Sequence, residues 1–315
     1  SIERKLQRGV TAGSIDKDLL VRGLIILGVD LFFINQFWFP GTILLQVMYA
    51  IGVAMILMIA MRRLPSIVLM SAGIAILFLS ELFLPEALVV ANEPLAILGA
   101  LFFGAGQFDT NLEYFGPWGS LGIPDSFLAG YPVLPWLAMM MFGWVFGRWL
   151  LKRKESDGWN ADTVRLLAGT GVGLLALYGV MRGFNTFGNL QLMRLDGSLL
   201  QWLHVSKYPP SAAFVALEIG LMCVILAGLF VVQKRRGDNV NNNNPVLVFG
   251  QTAFFFYVAH IFILEVSARS LDMYMTNGLL VSTIATTLSL ILLYPICRWY
   301  RTFKRAHPKS MARYL

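Results

Sequence analysis

Long apolar stretches follow one another along the chain, near residues 18–38, 42–61, 65–83, 131–150, 164–182, 209–233, 246–268 and 276–297. Each approaches the roughly 20 residues a helix needs to cross a hydrocarbon core about 30 Å thick. Strands of a membrane barrel alternate apolar and polar positions over about ten residues, so these unbroken runs predict helices instead. The pattern predicts an all-α polytopic transmembrane helical bundle of about eight spans, forming a single integral membrane domain over 1–315. Polar groups interrupt several spans: Asp30 and Asn35 in the first, Glu218 in the sixth and His260 in the seventh. A charge in hydrocarbon costs at least a few kcal/mol unless it is paired, neutralised or wetted, so such residues belong in a bundle interior or a polar cavity. Chemistry or transport suits that pattern better than simple anchoring.

Three connections stand apart. Residues 84–130 carry Glu86, Glu93, Asp109, Glu113 and Asp125 with no Lys or Arg, and are predicted to be an extracytoplasmic capping segment. Their apolar piece, Leu95 to Gly106, is short for a span and reads as re-entrant or interfacial. Residues 183–208 lead into Lys207-Tyr208-Pro209-Pro210, where the tandem prolines suit the first turn of the next helix and hold Lys207 and Tyr208 just outside it. Arg236 to Pro245, with Asn241 to Asn244, is predicted to be a flexible cytoplasmic linker.

Composition narrows the class further. Hydrophobic residues make up 57% of the chain and charged residues 14%, with mean hydropathy +0.66, outside the range of soluble globular domains. The net charge of +7 invites a nucleic-acid partner, but the positions of the basic residues point to the lipid bilayer and no nucleic acid. With the N-terminus placed in the cytoplasm, 21 of 25 Lys and Arg fall on that side; Arg182, Arg194, Lys207 and Arg269 remain on the other. This satisfies the positive-inside rule and predicts both chain ends in the cytoplasm. Cys223 and Cys297 define neither a disulfide framework nor a metal motif, so no metal is expected. No secretory signal pattern precedes the first span, and a trimmed or longer native chain is expected.

Several residues are candidates for chemistry. Asp30 lies twelve residues into the first predicted span, about 18 Å along a helix and hence near mid-membrane. Arg22, eight residues earlier, is suited either to phosphate or to snorkelling at the cytoplasmic interface. His260 can act as general base, acyl carrier or proton relay, or can simply bond a neighbouring helix. His260 and Glu265 are separated by about 140° around their helix, so each is expected to find its partner on another helix or in a wet cavity. Glu218 is either functional or a protonated carboxyl bonded between helices. Gly169, Gly171 and Gly173 lack the Lys-Ser/Thr of a phosphate loop and read as close helix packing.

Phrases in order then resemble the heparan-α-glucosaminide N-acetyltransferase-like family of bacterial membrane acyltransferases. They are Val21-Arg22-Gly23-Leu24, Gln46 to Gly52, Tyr131-Pro132-Val133-Leu134-Pro135-Trp136 with Gly147-Arg148, Ser206 to Ser211, and Phe255-Phe256-Tyr257 with His260. The resemblance implies transfer of an acetyl group from cytoplasmic acetyl-coenzyme A to an extracytoplasmic sugar or glycan acceptor, in a bacterial inner membrane. It implies Arg22 at the donor's phosphates, Asp30 and His260 as catalytic groups, and Lys207, Tyr208 and Glu265 at the acceptor. It also implies an Asp-His element in an earlier span, for which this sequence has no counterpart, so a native protein of about ten spans is expected. Two other classes stay open: a non-catalytic subunit of a larger membrane assembly or homo-oligomer, and a proton-coupled transporter using Asp30, Glu218 and His260.

Overall fold

The computed structural model describes residues 2–35, 42–87, 99, 101–104, 106–109, 126–156, 161–190, 192–237, 241–274, 278–308 and 310–314. Helices make up nearly all of it: α1 (Ile2–Gln7), α2 (Ala12–Val29), α3 (Val47–Met61), α4 (Ser66–Ala87), α5 (Val133–Ser156), α6 (Ala161–Phe184), α7 (Leu199–Leu203), α8 (Ala212–Arg236), α9 (Pro245–Gln251), α10 (Ala253–Ser270) and α11 (Leu279–Ala306). Five are long and apolar enough to cross a membrane: Val133–Arg153, Ala161–Phe184, Ala212–Arg235, Ala253–Ser270 and Leu279–Ala306. Val47–Met61 and Ser66–Leu82 are shorter apolar helices. The protein is therefore a polytopic membrane protein, with five spanning helices and two shorter candidates among the described residues where eight spans were expected. The first expected span differs because α2 begins with Asp16, Lys17, Asp18 and Arg22, and its regular turns end at Val29 in a π-helical segment, Asp30–Ile34.

The second expected span differs for another reason. Thr42–Leu45 forms strand β1 in a three-stranded sheet with β2 (Gly106–Asp109) and β3 (Ser126–Ala129), ordered β1-β3-β2, with β1 parallel and β2 antiparallel to β3. An apolar strand that runs directly into an apolar helix cannot be separated from it by hydropathy. The sheet has a consequence at its end: the amides of Gly130 and Tyr131 both donate to the carbonyl of Leu45, at 3.1 and 3.2 Å, so Gln46 and Tyr131 emerge side by side. Most of the expected capping segment, including Glu93, Glu113 and Asp125, lies outside the described residues.

The chain divides into two compact units, Ser1–Asp30 with Gly41–Gly237, and Leu31–Pro40 with Asp238–Leu315. In the first, α3, α4 and α5 bury Ala54, Met58, Leu69, Leu137, Ala138 and Met141 against one another. Elsewhere two helix pairs are drawn together by glycine. A Cβ on Gly23 of α2 meets the Gly52 carbonyl oxygen of α3 at 2.8 Å, and one on Gly171 of α6 meets the Gly220 carbonyl oxygen of α8 at 2.8 Å. This backbone contact is how apolar helices gain dispersion energy where lipid removes the hydrophobic drive. Gly171 thus follows the packing expectation, whereas Cβ atoms on Gly169 and Gly173 meet nothing within 4 Å.

The α2–α3 pair is also latched where α2 begins and α3 ends. Arg62 donates to Asp16 through Nε at 2.9 Å and Nη2 at 2.5 Å, and to the Ala12 carbonyl at 3.1 Å, while Arg63 reaches the same carboxylate at 2.7 Å. The Arg62 hydrogen bond, joined by Arg63, holds the Asp16 carboxyl below its ordinary range. A lowered carboxyl stabilises the fold above its unfolded pKa and loses that contribution as pH falls through the folded value. Thermal stability is therefore expected to be level above pH about 5 and to fall below about 4. Asp16→Asn should lose part of that acid slope; an unchanged slope in a thermal-melt series removes Asp16 from the latch.

In the second unit, α9, α10 and α11 pack around Val248, Leu293 and Cys297. The single span expected over 246–268 is broken at Thr252, whose hydroxyl donates to the Val248 carbonyl at 2.9 Å. The asparagine run is built into this unit rather than forming a loose linker. Asn244 caps α9 by accepting from the Val246 amide at 2.9 Å, and Arg301 and Tyr294 donate to the carbonyls of Asn242 and Asn243 at 2.6 and 2.7 Å. Residues 238–240 of the expected linker lie outside the described residues.

Candidate functional site

At the end of the first unit that holds the start of α2, residues of α1, α2 and α3 enclose a cleft of about 440 Å³ lined by Ile2, Arg4, Lys5, Arg8, Asp18, Leu19, Arg22 and Met55. Four cations face it against one carboxylate, and Lys5 bonds that carboxylate, Asp18, at 2.9 Å. Sequence reasoning singled out Arg22 alone. Arg4, Lys5 and Arg8 count there only toward the charge balance of the two sides, because nothing in the pattern shows that a six-residue helix comes to line the cleft. Guanidinium and ammonium groups gathered in a concave, water-reachable space are suited to phosphate.

The neighbouring basic residues have structural work instead. Arg148 of α5 donates to Glu3 at 2.8 Å, to the Leu64 carbonyl at 2.8 Å and to the Arg62 carbonyl, and Trp144 reaches the same Glu3 oxygen at 2.7 Å. Together they tie α1 and the α3–α4 turn to α5.

Asp30 lies about 12 Å along the helix axis from Arg22, so the two sit at different levels of α2 and are not brought together. The Asp30 side chain is fully buried. One oxygen accepts from Gln46 Nε2 and the other from the Tyr49 amide, each at 2.8 Å. Tyr49 is in the first turn of α3, where unpaired amides and the helix dipole favour a carboxylate. Asp30 thus occupies the end of the α2–α3 pair remote from the Asp16–Arg62 latch.

Lys207 and Tyr208 are brought together in an exposed turn ahead of α8. The Ser211 amide donates to the Ser206 carbonyl at 2.9 Å, the Ser206 hydroxyl donates to the Pro209 carbonyl at 2.9 Å, and Ser211 caps α8 by accepting from the Phe214 amide at 3.1 Å. The prolines precede the helix rather than filling its first turn. Lys207 Nζ lies 5.4 Å from the centre of the Tyr208 ring, which meets the Tyr131 ring edge-on at 4.7 Å; Tyr131 in turn stacks on Trp136 at 5.4 Å. The turn is therefore an aromatic surface with one cation, at the helix ends opposite the basic cleft.

His260 and Glu265 belong to the second unit, and they do not bond each other. His260 Nδ1 is 3.2 Å from the Phe256 carbonyl, and its ring stacks on Phe256 and meets Tyr257 edge-on, both at 5.3 Å. Buried Glu265 accepts from Arg269, one turn further along the same helix, at 2.6–2.7 Å. Glu265 and the Nδ1 of His260 thus meet partners within α10, where another helix or a wet cavity was expected. Glu218 of α8 is exposed. Among the described residues there is no group of three or more side chains arranged to hold a metal ion.

A membrane-embedded helical bundle with a phosphate-suited cleft at one end and an aromatic turn at the other defines the class. The family model of the heparan-alpha-glucosaminide N-acetyltransferase catalytic domain matches residues 7–183, more than half of the 315-residue chain, and the chain belongs to that family. The match contains Arg22, Asp30 and Arg8 of the basic cleft; Arg4 and Lys5 precede it, and Lys207, Tyr208, His260 and Glu265 lie beyond it. No curated protein and no solved structure matches the chain.

Proposed function

We propose that this protein transfers an acetyl group from coenzyme A, bound at the cytoplasmic face, to a sugar or glycan acceptor on the opposite face. The observation that carries the reading is the cationic cleft, of which Arg8, Asp18, Leu19, Arg22 and Met55 lie inside the segment shared with the acetyltransferase family. Its four cations complement the donor's phosphates, and its position at the cytoplasmic end, by the distribution of Lys and Arg, is the side where the donor is available. Arg22 holds a phosphate, with Arg4 and Arg8 beside it. Lys207 and Tyr208 receive the acceptor at the other end of the first unit; Glu265 is assigned to acceptor binding, and Asp30 and His260 to proton handling. His260 suits that work because an imidazole both accepts and donates a proton near neutral pH. Both chain ends then face the cytoplasm of a bacterial inner membrane, and 1–315 acts as one membrane domain.

The donor half is tested by calorimetric titration of the full-length protein with coenzyme A. Arg22→Ala is expected to weaken binding by about 1.5–3 kcal/mol, the range for a hydrogen bond to a charged group. Unchanged affinity in a well-folded variant assigns Arg22 to the membrane interface and removes the donor site from this cleft.

A further inference from the structure

A buried arginine and a half-buried glutamate outside the proposed site act on one run of backbone. Arg182, at the end of α6, is fully buried, and among the described residues no carboxylate pairs with it. It donates instead to Asn189 Oδ1 at 2.7 Å, to the carbonyls of Leu192 and His204 at 2.9 and 3.0 Å, and to the carbonyl of Gln201. Glu81, near the end of α4, does the complementary work. It accepts from the amides of Leu190 at 2.9 Å and Ala212 at 3.2 Å, and from that of Gly188. A cation thus satisfies carbonyls, and a carboxylate satisfies amides, along the single segment 188–212 that carries Lys207 and Tyr208.

The backbone in that segment needs such support. Leu190 has φ 44°, a left-handed conformation that a residue with a side chain keeps only where its surroundings over-determine it. Gly188 has φ 94°, and a Cβ there meets Met181 Sδ at 2.5 Å. The Phe187 ring rests against Phe78 of α4, centres 4.8 Å apart. Strain held in place on the segment that carries an exposed lysine and tyrosine is a feature of sites kept in a ready geometry.

We propose that Glu81 and Arg182 are positioning residues, fixing segment 188–212 so that Lys207 and Tyr208 are presented to the acceptor sugar in one prepared arrangement. This rests on the acceptor reading of the outer turn. Neither residue is proposed to touch substrate; Glu81 acts through backbone amides, and Arg182 through backbone carbonyls and the Asn189 side chain. Ordering the turn in advance removes that cost from binding, so loosening it weakens acceptor affinity and leaves the donor cleft untouched.

Glu81→Gln tests the proposal in the full-length protein held in lipid nanodiscs, because it keeps the side chain's size but sets an NH2 against a backbone amide. Hydrogen exchange within 188–212 is expected to quicken about tenfold or more while α3 and α5 keep their protection. Glucosamine, titrated by tryptophan fluorescence, is expected to bind about 5- to 20-fold more weakly, with coenzyme A affinity within about twofold. Glu81→Asp, which retains the carboxylate, should recover part of both effects, and it carries the test if the Gln variant folds poorly. Unchanged exchange in 188–212 with normal glucosamine binding overturns the positioning role alone, as does an equal loss of glucosamine and coenzyme A affinity. Wild-type protein that binds no glucosamine removes the acceptor half of the proposal together with the acyltransferase reading, even where exchange quickens.

Discussion

Arg182→Met is expected to cost about 3 kcal/mol or more, because three carbonyls and the Asn189 amide oxygen lose their donor in a buried setting, and each such loss costs roughly 1–3 kcal/mol. Methionine replaces the volume without replacing a single hydrogen bond. Arg182→Lys keeps the charge but reaches fewer acceptors than a planar guanidinium, so its loss should be intermediate. Thermal unfolding in detergent micelles checks both. A methionine variant as stable as the parent shows that segment 188–212 holds itself.

Gly171→Leu is expected to be the next most damaging change. The first added carbon falls 2.7 Å from Val224 Cγ2, 2.8 Å from the Gly220 carbonyl oxygen and 3.0 Å from the Val224 amide nitrogen, so two backbone groups must move. Overpacking of this kind costs about 1–3 kcal/mol, with the upper end expected where backbone is struck. Gly169→Ala and Gly173→Ala supply the control, since their Cβ atoms meet nothing within 4 Å and alanine favours a helix by roughly 0.5–1 kcal/mol. Melting temperatures should therefore fall for residue 171 and hold or rise for 169 and 173. The same response at all three positions contradicts the α6–α8 contact.

These two predictions also mark what the amino-acid pattern reveals and what it hides. Continuous apolar runs locate α5, α6, α8, α10 and α11 because a spanning helix is written in local composition. Gly171 was legible as a packing residue, but its difference from Gly169 and Gly173 depends on which face meets α8. The sheet was not legible. Its β1–β3 pairing joins Thr42–Leu45 to Ser126–Ala129, far apart in sequence, and Thr42–Leu45 merges by hydropathy with the helix that follows.

The polar residues show the same division. The cost of a charge in lipid singled out Asp30, and the structure gives it Gln46 and the first turn of α3. It could not single out Glu81 or Arg182, which sit near span ends where charged residues are common and whose partners are, Asn189 apart, backbone atoms with no sequence signature. His260 and Glu265 were expected to look outward from α10, yet each found a partner one turn away. For Glu265 that follows from Arg269 at i+4, a spacing visible in the sequence. The cationic cleft falls between the two cases: Arg4, Lys5, Arg8 and Arg22 are plain in the sequence, while the folding of α1 beside α2 that gathers them is a tertiary fact.

Vectorial transfer tests the central claim most directly. Full-length protein is reconstituted in vesicles with glucosamine sealed inside, and acetyl-labelled coenzyme A is added to the side bearing the Arg22 cleft. The account predicts labelled N-acetylglucosamine inside the vesicles, formed with the wild-type protein and sharply reduced with Arg22→Ala. Labelled donor that binds at the cleft while no acetylated sugar forms inside would contradict it.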